Sequence, residues 1–118
     1  MKLAKMSTIK ITDFTRSPGA RYVTDGLYSG EEFFNTILDS AFEKSLDLHE
    51  RLTVNLDGTS GFASSFLSEA FGLLSEKYGP DKVLKNLNII SVEEADWKDA
   101  ILKDYIPNAT KRRRKSTS

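Results

Sequence analysis

The stretch that most constrains the fold of this chain is residues 52–74, where an apolar run passes through a polar turn directly into a helix. The run Leu52–Leu56 has the length of a buried strand, and the turn Asp57-Gly58-Thr59-Ser60-Gly61 follows it. The helix opens on Ser64 and Ser65. This unit places backbone N–H groups and hydroxyls at one exposed point, where they can bind an anion, carry a phosphoryl group or contact a partner.

The rest of the chain continues the alternation of strands and helices. Residues 15–30 are rich in Gly, Pro and Ser, which indicates a loop, and Arg21-Tyr22-Val23 is interpreted as a short strand or hairpin arm within it. Ser29 is suited to cap the helix that follows, with Glu31 and Glu32 in its first turn. The pattern predicts strands at Thr8–Phe14, Leu52–Leu56 and Leu87–Ser91, and helices at about Gly30–Leu48, Ser64–Tyr78 and Glu93–Ile106.

This order predicts a small α/β domain of two or three layers, with a mostly parallel sheet of about four strands and about three helices. Ligand sites of open α/β sheets lie beyond the carboxyl ends of the strands. Asp13 and Phe14, Asp57 and Gly58, and Ser91 are therefore expected at one edge of the sheet.

Composition limits the class of protein. The chain has 118 residues, which suits one domain, predicted over residues 1–108 with a basic, disordered tail at 109–118. The net charge is zero, but Lys111–Lys115 is wholly basic, so the first 110 residues hold 12 basic and 17 acidic residues. An acidic body argues against nucleic-acid binding except through the 111–115 tail.

Features that the sequence lacks also predict the cellular location of the protein and the absence of cofactors. It has no cysteine, no apolar run of membrane length and no secretion leader, which predicts a cytoplasmic protein without a membrane span. We expect no metal and no cofactor, because no metal-binding motif occurs.

Two enzyme interpretations fail on single residues. Asn55-Leu56-Asp57-Gly58-Thr59 is similar to the DxDGT loop of haloacid-dehalogenase-type phosphatases, but Asn55 stands where that loop has its nucleophilic aspartate. A serine hydrolase needs a base beside its nucleophile. The single histidine, His49, precedes the strand and so lies at the opposite end of the sheet from Ser60 and Ser64. No catalytic residue is therefore predicted.

Two segments hold the candidate binding residues, and each has a structural alternative. In the turn, Asp57, Gly58, Thr59, Ser60, Ser64 and Ser65 either contact an anion or partner, or form the turn and cap the helix. In the loop, Arg16, Arg21, Tyr22 and Asp25 either hold an anion or a partner peptide, or form a tight hairpin in which Arg21 pairs with Asp13 or Asp25.

Several segments together resemble the prokaryotic STAS-like family of domains of unknown function, where STAS denotes sulphate transporter and anti-sigma factor antagonist. The resemblance covers about residues 7–108. It rests on Ile11-Thr12-Asp13-Phe14, Ser17-Pro18-Gly19-Ala20-Arg21-Tyr22, Asp25-Gly26, Ser29-Gly30-Glu31-Glu32-Phe33 and the stretch from Leu56 to Gly72.

The wider STAS resemblance implies a phosphorylation switch. In anti-sigma factor antagonists a kinase with a histidine-kinase-type ATPase fold phosphorylates the first serine of an Asp-Ser-Ser-Gly turn, which switches partner binding off. Ala63-Ser64-Ser65-Phe66 is similar to that turn, so the resemblance implies Ser64 as the phosphoacceptor, with Ala63 and Phe66 in place of the Asp and the Gly.

Three functional hypotheses follow. The leading one is a non-enzymatic regulatory module that binds a protein partner, an ATPase-fold kinase or an anti-sigma-like regulator, through residues 57–66 and the 16–30 loop. The alternative is a sensor of small anions or nucleotides at the helix N-terminus after Asp57-Gly58-Thr59, with Arg16 or Arg21. A third is a nucleic-acid-associated regulator anchored by the tail.

Overall fold

Three short strands pair side by side in chain order to form a parallel sheet. The computed structural model describes residues 7–59, 61 and 64–109. Within these residues the strands are β1 (Ser7–Lys10), β2 (Leu52–Asn55) and β3 (Leu87–Ile90), in the order β1-β2-β3. Ser7 pairs with Leu52, and Leu52 pairs with Leu87, so the three strands start level with one another.

Four helices connect and cover these strands in the part of the chain that the structure describes. Helix α1 runs through three consecutive segments: Gly30–Phe33, a π-helical turn at Phe34–Leu38, and Asp39–Asp47. The others are α2 (Ser64–Tyr78), α3 (Pro80–Asn86) and α4 (Ala95–Ala100, continued by a π-helical turn at Ile101–Tyr105). The predicted α/β class with a parallel sheet is confirmed.

The core lies between the sheet and the helices, with α2 at its centre. Helix α2 buries residues on most of its circumference, among them Phe66, Leu67, Ala70, Phe71 and Leu74. It packs against α1, α3 and the π-helical turn of α4. The middle strand β2 is buried from Leu52 to Val54, as expected for a parallel strand covered on both faces. Helix α2 is therefore held on several sides.

The start of α1 is fixed by the cap that the sequence predicts. The Ser29 hydroxyl accepts a hydrogen bond from the backbone N–H of Glu32 at 2.9 Å. Such a cap satisfies one of the helix's unpaired N–H groups and contributes about 1 kcal/mol. Three apolar side chains of α1, Phe33, Leu38 and Phe42, are fully buried in the core.

The first strand and the hairpin arm differ from the predictions. Strand β1 ends at Lys10, and a 3-10 turn at Ile11–Asp13 replaces the predicted extension to Phe14, because this turn brings Ile11 fully into the core. The predicted arm Arg21-Tyr22-Val23 is not a strand; a 3-10 turn occupies Val23–Asp25. The described residues therefore form three strands rather than about four.

The end of α2 is as predicted, an additional helix follows it, and the start of α4 moves. Gly79 and Pro80 end α2 as predicted, but they begin α3 at the same point. Gly79 has a φ of 93°, and Pro80 takes the first helical position, where its missing N–H costs nothing. Helix α4 begins at Ala95, two residues after the predicted start at Glu93.

None of the helices in the described part of the chain combines the length and the apolar character that a membrane span requires.

Candidate functional site

The segments that follow the three strands meet at the carboxyl edge of the sheet, as the sequence predicts. Gly58, after β2, has a φ of 95°, and a Cβ atom there would lie 3.1 Å from the Thr12 methyl carbon, after β1. Gly58 therefore provides both the positive φ and the close approach to Thr12. On the other side, its N–H donates to Glu93 Oε1, after β3, at 2.8 Å.

Asp57 fastens the segment after β2 to the segment after β3. Its Oδ1 accepts from the Glu93 N–H at 3.0 Å, and its Oδ2 accepts from the Val92 N–H at 3.2 Å. The Asn55 side chain makes the local turn instead, because its Oδ1 accepts from the Asp57 N–H at 2.9 Å. The predicted turn-forming role of Asp57 thus belongs to Asn55, and the Asp57 carboxylate holds the loop after β3.

A cavity of about 480 Å³ opens beside this cross-link. We call it the acidic cavity, because three of its lining residues are acidic. It is lined by Leu56, Asp57, Thr59, Gly61, Ser91, Glu93, Glu94 and Trp97. Ser91 is buried, and its hydroxyl donates to the Glu94 carbonyl oxygen, which shapes the start of the loop toward α4.

A second surface lies on the loop between β1 and α1. Four large apolar side chains on this loop are exposed, and we call them the apolar face: Tyr22 (41%), Val23 (52%), Leu27 (81%) and Tyr28 (48%). Isolated exposed apolar residues are ordinary, but here four of them lie within seven consecutive residues of one loop.

The loop that carries the apolar face is held by its own polar groups. Asp25 Oδ2 accepts from the Tyr22 N–H at 3.1 Å, and Glu31 Oε1 accepts from the Val23 N–H at 2.8 Å. Glu32 Oε1 accepts from the Tyr28 N–H at 2.9 Å. The ring of Phe14 packs edge-on against Tyr28, with 5.4 Å between ring centroids. The apolar side chains therefore stand on a fixed backbone.

The same loop is attached to the first turns of α2. The Ser65 hydroxyl donates to the Gly19 carbonyl oxygen at 3.2 Å. Arg21 forms an ion pair with Glu69, with 3.5 Å between Nη1 and Oε1, and the Glu69 side chain is only 3% exposed. Gly30 lies directly against the backbone of α2, since a Cβ there would be 2.3 Å from the Phe66 carbonyl oxygen. The 16–30 loop thus contacts the start of α2 directly.

The predicted site residues differ in their contacts and in their exposure. Arg21 pairs with Glu69, not with Asp13 or Asp25 as the hairpin alternative proposed. Ser64 and Arg16 are exposed, and Thr59 is half-buried in the wall of the acidic cavity. Ser60 and the tail residues 111–115 lie outside the described residues.

Sequence reasoning missed Glu69, Glu93, Glu94 and Trp97. The ion pair of Glu69 could have been expected from the sequence. A glutamate between Ser68 and Ala70 on a buried helix needs a cationic partner. The other three follow β3, and the rule that sites lie beyond strand ends could have included them.

The resolved pKa shifts lie away from both surfaces, at Asp39 and Tyr78. Burial favours the neutral Asp39 carboxyl, but hydrogen bonds from Lys77 at 2.7 Å and from Tyr78 at 2.6 Å outweigh it, so its pKa lies below its ordinary value. Burial, and then the Asp39 acceptor, raise the pKa of Tyr78 far above its ordinary value. The hydrogen bonds of Asp39 with Lys77 and Tyr78 join α1 to the end of α2, so these residues have a structural role.

The described residues thus form a small α/β domain, with a three-stranded parallel sheet covered by helices and with the acidic cavity and the apolar face on the loops after its strands. Residues 29–97 match the family described as STAS-like domain of unknown function (DUF4325), and the chain belongs to that family. The resemblance predicted from the residues is therefore confirmed. Comparison with curated proteins gave no match, and comparison with solved structures gave none.

Proposed function

We propose that this domain is a non-enzymatic regulatory module that binds a protein partner through the apolar face and the adjoining start of α2. The observation that carries the proposal is the exposure of Tyr22, Val23, Leu27 and Tyr28 on a loop whose backbone is fixed. Exposed apolar side chains that are already ordered lose little conformational entropy on binding. They are therefore well suited to the centre of a protein interface.

The partner that we propose is a kinase with a histidine-kinase-type ATPase fold or an anti-sigma-like regulator. Membership of a STAS-like family supports this choice. Ser64 is exposed at the N-terminus of α2, whereas its neighbour Ser65 is hydrogen-bonded to Gly19. Ser64 is thus the more accessible of the two hydroxyls, and we propose it as the phosphoacceptor. A phosphoryl group would add a charge of about −1.5 to −2 beside the apolar face and weaken an apolar contact there.

Charge argues against the alternative of an anion or nucleotide sensor. Asp57, Glu93 and Glu94 line the cavity at this edge, and their charges repel an anion. Arg21 already pairs with a buried carboxylate.

The hypothesis of nucleic-acid binding through the 111–115 tail stays a prediction. It predicts that binding weakens steeply with salt and is lost on deletion of residues 111–118.

The test is a calorimetric titration with a purified kinase of the histidine-kinase-type ATPase fold. The double variant Val23→Ser, Leu27→Ser removes two exposed apolar side chains without touching the core. We expect at least a tenfold loss of affinity, because central apolar contacts dominate interface energies. The variant Leu48→Ser is the matched control, since Leu48 is as exposed as Val23, at 52%, but lies at the far end of α1.

Unchanged affinity in the double variant would show that the apolar face is not the binding surface.

The proposed phosphorylation switch is tested separately with Ser64→Asp and Ser64→Ala. We expect the aspartate to reduce affinity and the alanine to preserve it. Equal affinities would reject the switch and leave the binding surface standing.

A further inference from the structure

We propose that Asp25 is a site of spontaneous isoaspartate formation, a covalent modification that changes the backbone of the loop carrying the apolar face. The sequence contains two Asp-Gly pairs, Asp25-Gly26 and Asp57-Gly58. Among aspartyl peptide bonds, Asp-Gly forms isoaspartate most readily, because glycine has no side chain to hinder attack by its backbone nitrogen. The structure leaves the first pair open to this reaction and protects the second.

The reaction proceeds through a succinimide ring and consumes no reagent other than water. The Gly26 backbone nitrogen bonds to the Cγ atom of Asp25, the nitrogen loses its proton, and the carboxyl group loses its hydroxyl, so one water molecule leaves. Water then adds to one of the two ring carbonyl carbons and breaks the bond from that carbon to the nitrogen. Cleavage at Cγ returns aspartate, whereas cleavage at the backbone carbon of Asp25 gives isoaspartate, in which the main chain runs through the side chain. The mass is unchanged, because one water leaves and one enters.

The first pair lies open on the loop between β1 and α1. Asp25 and Gly26 are both exposed, and a Cβ atom at Gly26 would meet nothing within 4 Å. The Gly26 N–H donates to the Val23 carbonyl oxygen at 3.3 Å, which is longer than an ordinary N–H···O bond. This weak bond between neutral groups is easily opened, so the attacking nitrogen can be released by a small local motion.

The second pair is held at both of its reacting groups. The two oxygens of the Asp57 carboxylate accept from the Val92 and Glu93 N–H groups at 3.2 and 3.0 Å. The attacking nitrogen would be that of Gly58, and its N–H donates to Glu93 Oε1 at 2.8 Å. All three bonds have a charged acceptor, which makes them stronger than bonds between neutral groups. The same dipeptide elsewhere in the chain is thus an internal reference for the reactivity of Asp25.

The modification would change the loop at a point that shapes the apolar face. The Asp25 carboxylate accepts from the Tyr22 N–H at 3.1 Å and closes the 3-10 turn at Val23–Asp25. Isoaspartate adds a methylene to the main chain between Val23 and Leu27 and moves the carboxylate away from Tyr22. We therefore expect the modified protein to bind its partner less tightly. This consequence rests on the proposed function, whereas the reaction itself does not.

The experiment is a peptide map of the intact protein during incubation at neutral pH under native conditions. Trypsin cleaves after lysine and arginine and so places Asp25 in peptide 22–44 and Asp57 in peptide 52–77. An isoaspartyl peptide keeps its mass but changes its chromatographic retention, and electron-transfer fragmentation locates the modified residue. We expect isoaspartate to form at Asp25 at least about tenfold faster than at Asp57, because the reaction at Asp57 must first break charge-assisted hydrogen bonds.

Three controls separate the contribution of the fold from that of the sequence. In guanidinium chloride the two sites should react at similar rates, because each aspartate is then followed by an unrestrained glycine. Asp25→Glu keeps the carboxylate but cannot close the five-membered ring, so position 25 should stay unmodified. Glu93→Ala removes the acceptor of the Gly58 N–H and should speed the reaction at Asp57 in the native protein. Equal rates at the two sites of the native protein, or a faster reaction at Asp57, would overturn the proposal. So would a rate difference that persists unchanged in guanidinium chloride.

The peptide map needs no partner, so its result is independent of the proposed function. Absence of isoaspartate at Asp25, with an intact effect of Val23→Ser, Leu27→Ser on partner binding, would reject the modification alone. Isoaspartate at Asp25 with no effect of that double variant would reject the apolar face and keep the modification site.

Discussion

The apolar face and the acidic cavity share one edge of the sheet, but different interactions hold them. The loop of the apolar face is attached through the contact of Gly30 with Phe66, the Arg21–Glu69 ion pair and the Ser65 hydroxyl. The wall of the cavity is attached mainly through the Asp57 carboxylate and its two backbone N–H donors. The two surfaces can therefore be perturbed one at a time, which makes their roles separable by experiment.

The largest loss of stability is expected from Gly30→Ala, which disrupts the packing that attaches the apolar face to α2. The new Cβ would lie 2.3 Å from a backbone oxygen of α2, and neither backbone can move without disturbing the core. We expect the free energy of unfolding to fall by about 2–3 kcal/mol in urea titrations. Partner affinity should fall with it.

Gly19→Ala is the matched control, because its Cβ would lie 4.0 Å from the nearest atom. It should change the free energy of unfolding by less than about 0.5 kcal/mol. A Gly30→Ala variant as stable as Gly19→Ala would mean that α1 and α2 are not packed as closely as the structure has them.

A smaller loss of stability is expected from Asp57→Ala, which removes the cross-link beside the cavity and leaves the apolar face unchanged. It removes two charge-assisted hydrogen bonds from a half-buried carboxylate, so we expect a loss of about 1–2 kcal/mol. The amide protons of Val92 and Glu93 should exchange faster with solvent in the variant. Asp57→Asn keeps one acceptor oxygen and should recover part of the stability. Unchanged exchange at both amides would contradict the cross-link.

The smallest change in the free energy of unfolding is expected when two neighbouring serines at the start of α2 are replaced and compared. Ser65→Ala loses the hydrogen bond to Gly19 and should cost about 0.5–1 kcal/mol. Ser64→Ala removes an exposed hydroxyl and should stay within about 0.5 kcal/mol of the wild type. Thermal unfolding of the two variants side by side is the measurement. The reverse order would assign the structural role to Ser64 and leave Ser65 as the accessible hydroxyl.

The fold could be predicted where local pattern and tertiary burial agree. The central strand and α2 were predicted closely, because the apolar run of Leu52–Leu56 and the apolar positions of Ser64–Tyr78 are the residues that the core buries. Strand β1 was predicted too long, since the alternation through Ile11 is equally compatible with a turn that brings the same side chain into the core.

The site was predicted in location more than in contacts. The strand-end rule placed Asp57, Gly58 and Ser91 at one edge correctly. It could not show that Arg21 pairs with Glu69, which lies 48 positions further along the chain, in preference to the nearby Asp25. Local sequence favours local partners, whereas the ion pair depends on how the 16–30 loop packs on α2.

The chain-order pairing of the sheet also has a consequence for how the polypeptide reaches this shape. Ser7 of β1 pairs with Leu52 of β2, 45 positions later, and Leu52 pairs with Leu87, 35 positions later. No strand pair in the sheet is local, so each must wait for the closure of a long segment. During synthesis β1 therefore has no strand to pair with until β2 has left the ribosome. Helix α1 lies between β1 and β2 in the chain and can form earlier from its own local contacts, so we expect it to precede the sheet in the order of folding.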